Sequence, residues 1–141
     1  MSLIFTPGQL HRRAELFQRL AQLTAAGIPL PAAIDAQRQQ AASTPFRAPL
    51  ATISNLLHGG ATFGEAVRRT GGWLPAFDSA LLQAGEQSGR LPGSFEVLAD
   101  HYRNQAGMAR NLLAYLDEQK QATGQAVQQA LALAHLAHHA G

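Results

Sequence analysis

Three histidines near the carboxyl end, His135, His138 and His139, stand at i, i+3 and i+4. On a helix that spacing gathers the imidazoles on one face, where they could hold a transition-metal ion. No carboxylate follows them and no His-Glu-x-x-His pattern is present, so hydrolytic zinc chemistry would lack its general base. The set reads as an exposed tail, and no metal is assigned. Ser54, Ser79 and Ser94 lack the glycines of a nucleophile elbow. His11, His58 and His101 are scattered and read as surface residues. The chain has no cysteine, which excludes a thiol nucleophile, a thiolate zinc site and a disulfide framework together. No glycine-rich loop ends in Lys-Ser or Lys-Thr, so nucleotide hydrolysis has no phosphate cradle. No catalytic residue and no cofactor emerge.

The most unusual stretch is Leu82-Gln83-Ala84-Gly85-Glu86-Gln87-Ser88-Gly89-Arg90-Leu91, where two glycines four apart flank a carboxylate. Gly85 is expected to end the fifth helix in a left-handed cap, and Gly89 to let the backbone reverse. Leu91 then re-enters the core. Glu86 is left near the amino end of the sixth helix, where a negative charge is favoured by about 0.3–1 kcal/mol. Either Glu86 and Ser88 tie the turn, or the carboxylate contacts a partner or a cation. Arg12-Arg13 and Arg68-Arg69 could touch phosphates. The balance is only 11 basic against 9 acidic residues, however, with 14% charged residues in all. Nucleic-acid binding normally needs several phosphate contacts per site to survive physiological salt.

The elements that position these residues are helices punctuated by glycine and proline. A length of 141 residues with 46% apolar content suits one domain. No run of about 18 apolar residues and no leader-like start is present, so composition predicts a soluble domain of a reducing compartment. Thr6-Pro7-Gly8-Gln9 reads as a capping box. It opens a helix with Leu16, Phe17, Leu20 and Leu23 on one face, stopped by Gly27. A second helix is predicted over residues 30–42, with Leu30, Ala33 and Ile34 inward. A third starts at Pro49 with Leu50, Ile53 and Leu57, ending at Gly59-Gly60. Thr62-Phe63-Gly64-Glu65 is a second capping box, opening a short fourth helix that Gly71-Gly72 closes. Pro75 begins a fifth, holding Phe77, Leu81 and Ala84. The sixth, from about Pro92, carries Phe95, Leu98, Tyr102, Ala106, Ala109, Leu113 and Leu116 in a narrow seam. The prediction is an all-α six-helix bundle built from helix hairpins over residues 7–116. Residues 117–141, rich in Ala, Gln and His, form a loosely attached and helical tail.

A weak internal repeat supports the hairpins. Gly27-Ile28-Pro29-Leu30-x-x-Ala33-Ile34 has the spacing of Gly60-Ala61-Thr62-Phe63-x-x-Ala66-Val67, which makes helices 1–2 and 3–4 equivalent pairs. DNA-reading helix pairs share that grammar, but they want basic or amide side chains leading the second helix. Pro31, Ala32 and Glu65 stand there instead.

Gly85-Glu86-x-Ser88-Gly89-x-Leu91, followed by Phe95-x-x-Leu98-Ala99-x-x-Tyr102, resembles the signature of the type II secretion system F domain. That domain is carried by inner-membrane platform proteins of type II secretion and type IV pilus assembly. Leu20-x-x-Leu23-x-x-Ala26-Gly27-Ile28-Pro29-Leu30-x-x-Ala33-Ile34 resembles the family's first hairpin, and Gly60-Ala61-Thr62-Phe63-Gly64-Glu65-Ala66-Val67 its second. Trp73-Leu74-Pro75 precedes the fifth helix as in relatives, and the motifs keep the family's order. The resemblance implies a non-catalytic cytoplasmic bundle at the inner face of the bacterial inner membrane. It implies docking to a separate secretion or assembly ATPase and to other platform proteins, a homodimer, and neither nucleic acid nor a small-molecule substrate. After Leu113-Ala114-Tyr115-Leu116, where relatives turn into a membrane span, this chain has Asp117-Glu118 and a Gln-rich segment. Membrane association is therefore expected only through partners or a missing span. The alternatives are a small helical nucleic-acid-binding protein, motivated by the arginine pairs, and a metal-dependent enzyme using the tail histidines.

Overall fold

Thr6 starts the first helix as its capping box predicts. Its hydroxyl accepts from Gln9 N at 3.2 Å, and Gln9 Oε1 accepts from Thr6 N at 2.8 Å. Pro7 takes the first helical position, where no amide is needed, and α1 runs Pro7–Ala25. The computed structural model describes the backbone of residues 5–41 and 44–140 and the side chains as far as residue 138. It continues with α2 (Leu30–Gln40), α3 (Arg47–His58), α4 (Phe63–Arg68), α5 (Ala76–Ser88) and α6 (Leu91–Ala140). Among the described residues there are six helices and no strand, so the all-α architecture is as expected. α3 begins two residues before Pro49. The proline therefore lies in the first turn, where its missing N–H breaks no helical bond.

The two predicted hairpin corners are the same turn. Gly27 (φ 90°) and Gly60 (φ 95°) are both left-handed. Gly27 N donates to Thr24 O and Ile28 N to Leu23 O at 3.1 and 3.0 Å. Gly60 N and Ala61 N repeat those bonds to Leu57 O and Leu56 O at the same lengths. This is the Schellman closure of a helix end, which an L side chain at the left-handed position would strain. Past each corner the predicted inward pair is buried: Ala33 and Ile34 on α2, Ala66 and Val67 on α4. The second corner leads into another reciprocal box, with Glu65 N donating to Thr62 Oγ1 at 3.2 Å and Thr62 N to Glu65 Oε2 at 3.4 Å.

Each helix packs against its neighbours in the chain, and α1 closes the ring on α6 in the largest of these contacts. The core carries Phe17 and Leu20 from α1, Ile34 from α2, and Leu50 and Ile53 from α3. Phe63, Leu82, Phe95, Leu98 and Tyr102 complete it from α4, α5 and α6. Phe17 lies between Phe95 and Tyr102, with ring centroids 6.2 and 5.8 Å away.

Two inward faces differ from the sequence reading. On α5 the buried positions are Asp78, Leu82 and Gly85, one residue on from Phe77, Leu81 and Ala84. Phe77 is 60% exposed. A carboxylate at an inward position hides the true face from any apolar count. On α6 the seam is buried at Phe95, Leu98, Tyr102 and Ala106, but Leu113 and Leu116 are more than half exposed. The cause is length. α1 runs antiparallel to α6, with Gln18 beside Arg103 and Leu10 beside Met108 and Leu112. At 1.5 Å per residue α1 spans about 28 Å and α6 about 75 Å, so α6 outruns its support where α1 begins. The helix continues through Asp117 without a break, and residues 110–138 are exposed.

Candidate functional site

The glycine-rich stretch ends α5 one turn later than its first glycine. Gly89 (φ 73°) is the left-handed cap, with Arg90 N bonded to Gly85 O at 2.8 Å. Gly85 is helical and has a different task, so its expected role as the cap is corrected. A Cβ there would strike Ser94 Oγ and stand 2.9 Å from Ser94 Cβ. Its bare backbone thus lets α5 approach α6. Ser88 Oγ reaches back to Gly85 O at 3.4 Å, and Leu91 opens α6 against the core.

Glu86 does not sit at the start of α6, as proximity in sequence suggests. It faces the start of α4, where Oε2 accepts from Phe63 N at 2.6 Å and Oε1 from Gly64 N at 3.1 Å. These are the first two amides of α4, and the third is taken by Thr62. Every free amide of that helix end is therefore satisfied, with a carboxylate at its positive pole. Of the predicted residues, Thr62, Glu65 and Glu86 converge on one helix terminus. Gly85, Ser88, Gly89 and Leu91 form the adjoining α5–α6 corner, and Gly27 and Pro29 belong to the separate first corner.

Two polar clusters are not visible in the sequence. Asp78, 2% exposed, accepts a hydrogen bond from the Tyr102 hydroxyl. Burial pushes the Asp78 carboxyl above its ordinary range, and burial with the neighbouring carboxylate pushes the Tyr102 phenol up. Beside them Arg13, 5% exposed, lies 4.1 Å over the Phe5 ring and within 6 Å of the Phe46, Trp73 and Tyr102 ring centroids. Its Nη2 donates to Trp73 O at 2.9 Å. Only Arg12 of the Arg12-Arg13 pair is therefore presented to solvent, which removes half of that candidate phosphate contact.

The second cluster joins α2 to α3. Asp35 accepts from Ser54 Oγ, and His58 Nε2 lies 2.9 Å from its other oxygen. Those bonds hold the Asp35 carboxyl below its ordinary range, the Ser54 hydroxyl most of all. Serine, histidine and aspartate meet here in an order unsuited to nucleophilic catalysis. Both partners bond the carboxylate, whereas an activated serine needs the imidazole beside its own hydroxyl. The arrangement works as a clasp between helices. His58 and Ser54, read as incidental from sequence, belong to it.

No group of three or more His, Asp or Glu side chains placed to hold a metal ion occurs among the described residues. His135 and His138 lie on the exposed part of α6, and the side chain of His139 falls outside the described residues. No described helix is long and apolar enough to cross a membrane.

The sequence model of the family described as Type II secretion system (T2SS), protein F, matches residues 16–118. That interval contains α2 to α5, most of α1 and the packed part of α6. A search of the curated proteins finds no match.

Proposed function

This chain belongs to the type II secretion system protein F family, and from that membership we propose that it is a non-catalytic docking domain. It serves an inner-membrane platform for type II secretion or type IV pilus assembly. The family is a component of that platform and is not an enzyme family. The observation that carries the proposal is the match over residues 16–118, which takes in the greater part of the helical ring. The geometry supports it. In the family-like stretch, Glu86 and Gly85 are committed to holding α4, α5 and α6 together. What such a domain offers a partner is then its outer helix faces.

In this reading the partners are the secretion or assembly ATPase and other platform proteins, with a homodimer as the working unit at the cytoplasmic face. Membrane attachment comes through those partners or through a span outside this sequence. Size-exclusion chromatography with light scattering, on the full chain alone and mixed with the purified cognate ATPase and platform proteins, tests it. The expected result is a dimer of the 15.0 kDa chain that co-elutes with at least one component. A monomer that co-elutes with none would refute it.

A further inference from the structure

Beyond the ring, α6 carries a stripe whose residue types read alike in both directions. From Leu112 to Leu136 its positions advance by three and four, the spacing of a coiled-coil seam. Gly124 marks the middle. Ala122 and Ala126 stand two positions either side of it, and Gln119 and Gln129 five. Tyr115 and Leu133 stand nine positions away, Leu112 and Leu136 twelve. Small residues thus mirror small ones, amides mirror amides, and large apolar residues mirror large apolar residues. The whole stripe is exposed, its four large residues by 56–67%. The adjoining stripe through Leu113 and Leu116 meets Lys120 at its next step, where burial would strip a charge of water.

We propose that this stripe pairs with the same stripe of a second copy of the chain, antiparallel, across a two-fold axis level with Gly124. Such an axis sets each residue against its mirror mate, which is the self-complementarity a closed dimer requires. Leu112 meets the partner's Leu136, and Tyr115 the partner's Leu133. Gln119 and the partner's Gln129 can each donate and accept, and a polar pair within a seam fixes its register. A groove of about 330 Å³ lies beside Leu112, walled by Phe5, Leu10, Met108 and Ala109, where the partner's Leu136 arrives. The stripe runs about 36 Å at 1.5 Å per residue. With a contact face about 100° wide, each helix covers about 450 Å² of its accessible surface. Two helices and two filled grooves together reach the roughly 1,000 Å² from which a specific interface is built.

Charge and bulk set the orientation. In a parallel pair Asp117 and Glu118 would lie level with their own copies, and both rings would crowd one end. The antiparallel pair sets those carboxylates level with the partner's residues 125–134, none of them charged, and leaves one ring at each end. The assignment deepens the docking reading and rests on it, because it names the surface by which the homodimer forms.

The chain has no cysteine, so introduced thiols report cleanly. Leu112→Cys and Leu136→Cys are prepared separately as full chains, treated with oxidised glutathione alone and mixed, and resolved without reductant. In the antiparallel pair each variant alone holds its two thiols about 36 Å apart and should stay unlinked, whereas the mixture should give a disulfide-linked heterodimer. Linkage of either variant alone, or none in the mixture, overturns the proposal. Light scattering gives a second readout. Leu136→Glu should weaken self-association at least about tenfold, and Leu131→Glu, outside the stripe, should leave it unchanged. Both positions are exposed, so the ring folds in either variant. Equal effects of the two substitutions also overturn the proposal. Linkage in the mixture without co-elution of the ATPase or a platform protein removes the docking reading and leaves the pairing. Co-elution without linkage in the mixture does the reverse.

Discussion

Glu86 on α5 accepts the first two amides of α4 from a position 22 and 23 residues further along the chain. Glu86→Gln keeps one carbonyl acceptor but removes the charge at the helix pole and presents a donor to an amide. Hydrogen bonds to charged groups contribute about 1.5–3 kcal/mol, and a charge at a helix end about 0.3–1 kcal/mol. The expected loss is about 1–2 kcal/mol in urea unfolding, with co-elution of partners unchanged once the protein is folded. Weakened association at unchanged stability would instead identify the carboxylate as a contact.

Gly85 and Ser94 make a second test of the same corner. Gly85→Val places a branched side chain where even a Cβ has no room, and overpacking of this kind costs about 1–3 kcal/mol. In a Ser94→Gly background the obstructing side chain is gone, so the same substitution should cost less. Urea midpoints for the four proteins of that cycle give the coupling directly. An identical penalty in both backgrounds would mean that the α5–α6 approach is not what selects glycine.

Asp35 and Asp78 should tilt the pH dependence of stability in opposite directions. The folded Asp35 carboxyl lies below its unfolded value of about 3.9 through Ser54 and His58. The folded state there binds fewer protons. Its contribution is fully present above that pH and is lost as pH falls through the folded value. Asp78 is raised by burial, so its folded state binds more protons, and stability rises as pH falls from its folded value toward the unfolded one. Unfolding free energies measured between about pH 3 and 7 should therefore show a shallower acid loss for Asp35→Asn. Asp78→Asn should show a steeper one. Profiles parallel to that of the unsubstituted chain would contradict both assignments.

What is legible in the sequence is what is decided locally. Thr6 with Gln9, Thr62 with Glu65, and the corners at Gly27 and Gly60 each place donor, acceptor or left-handed residue within a few positions. The inward face of α5 is not legible, because Asp78 is tolerated inside through groups far along the chain, Tyr102 24 residues away and the Arg13 guanidinium. Arg13 is misread as a candidate phosphate contact for the same reason, since its acceptor is a carbonyl 60 residues along. Glu86 shows the limit most clearly. Its charge suits a helix amino end, but nearness in sequence selects α6, whereas the folded chain brings α4 to it.

The outlying part of α6 yields the last prediction. Leu113, Leu116, Leu131, Leu133 and Leu136 are all more than half exposed, so residues beyond the packed seam bury almost nothing within this chain. Surface changes away from packing contacts usually fall within about 0.5 kcal/mol, and deleting residues 120–141 should shift the unfolding free energy by no more than that. Amide exchange should report the same boundary. Protection close to the global value is expected at Leu98 and Tyr102, falling toward zero beyond Leu116 in the dilute monomer, because an isolated helix gains little beyond its own marginal stability. Raising the protein concentration separates two causes. Protection that stays low would leave the extension a solvated arm, whereas protection that rises with concentration would show a second copy covering its leucines. A large stability loss in the truncated chain at micromolar concentration would mean that the extension folds back on the ring, contrary to its exposure.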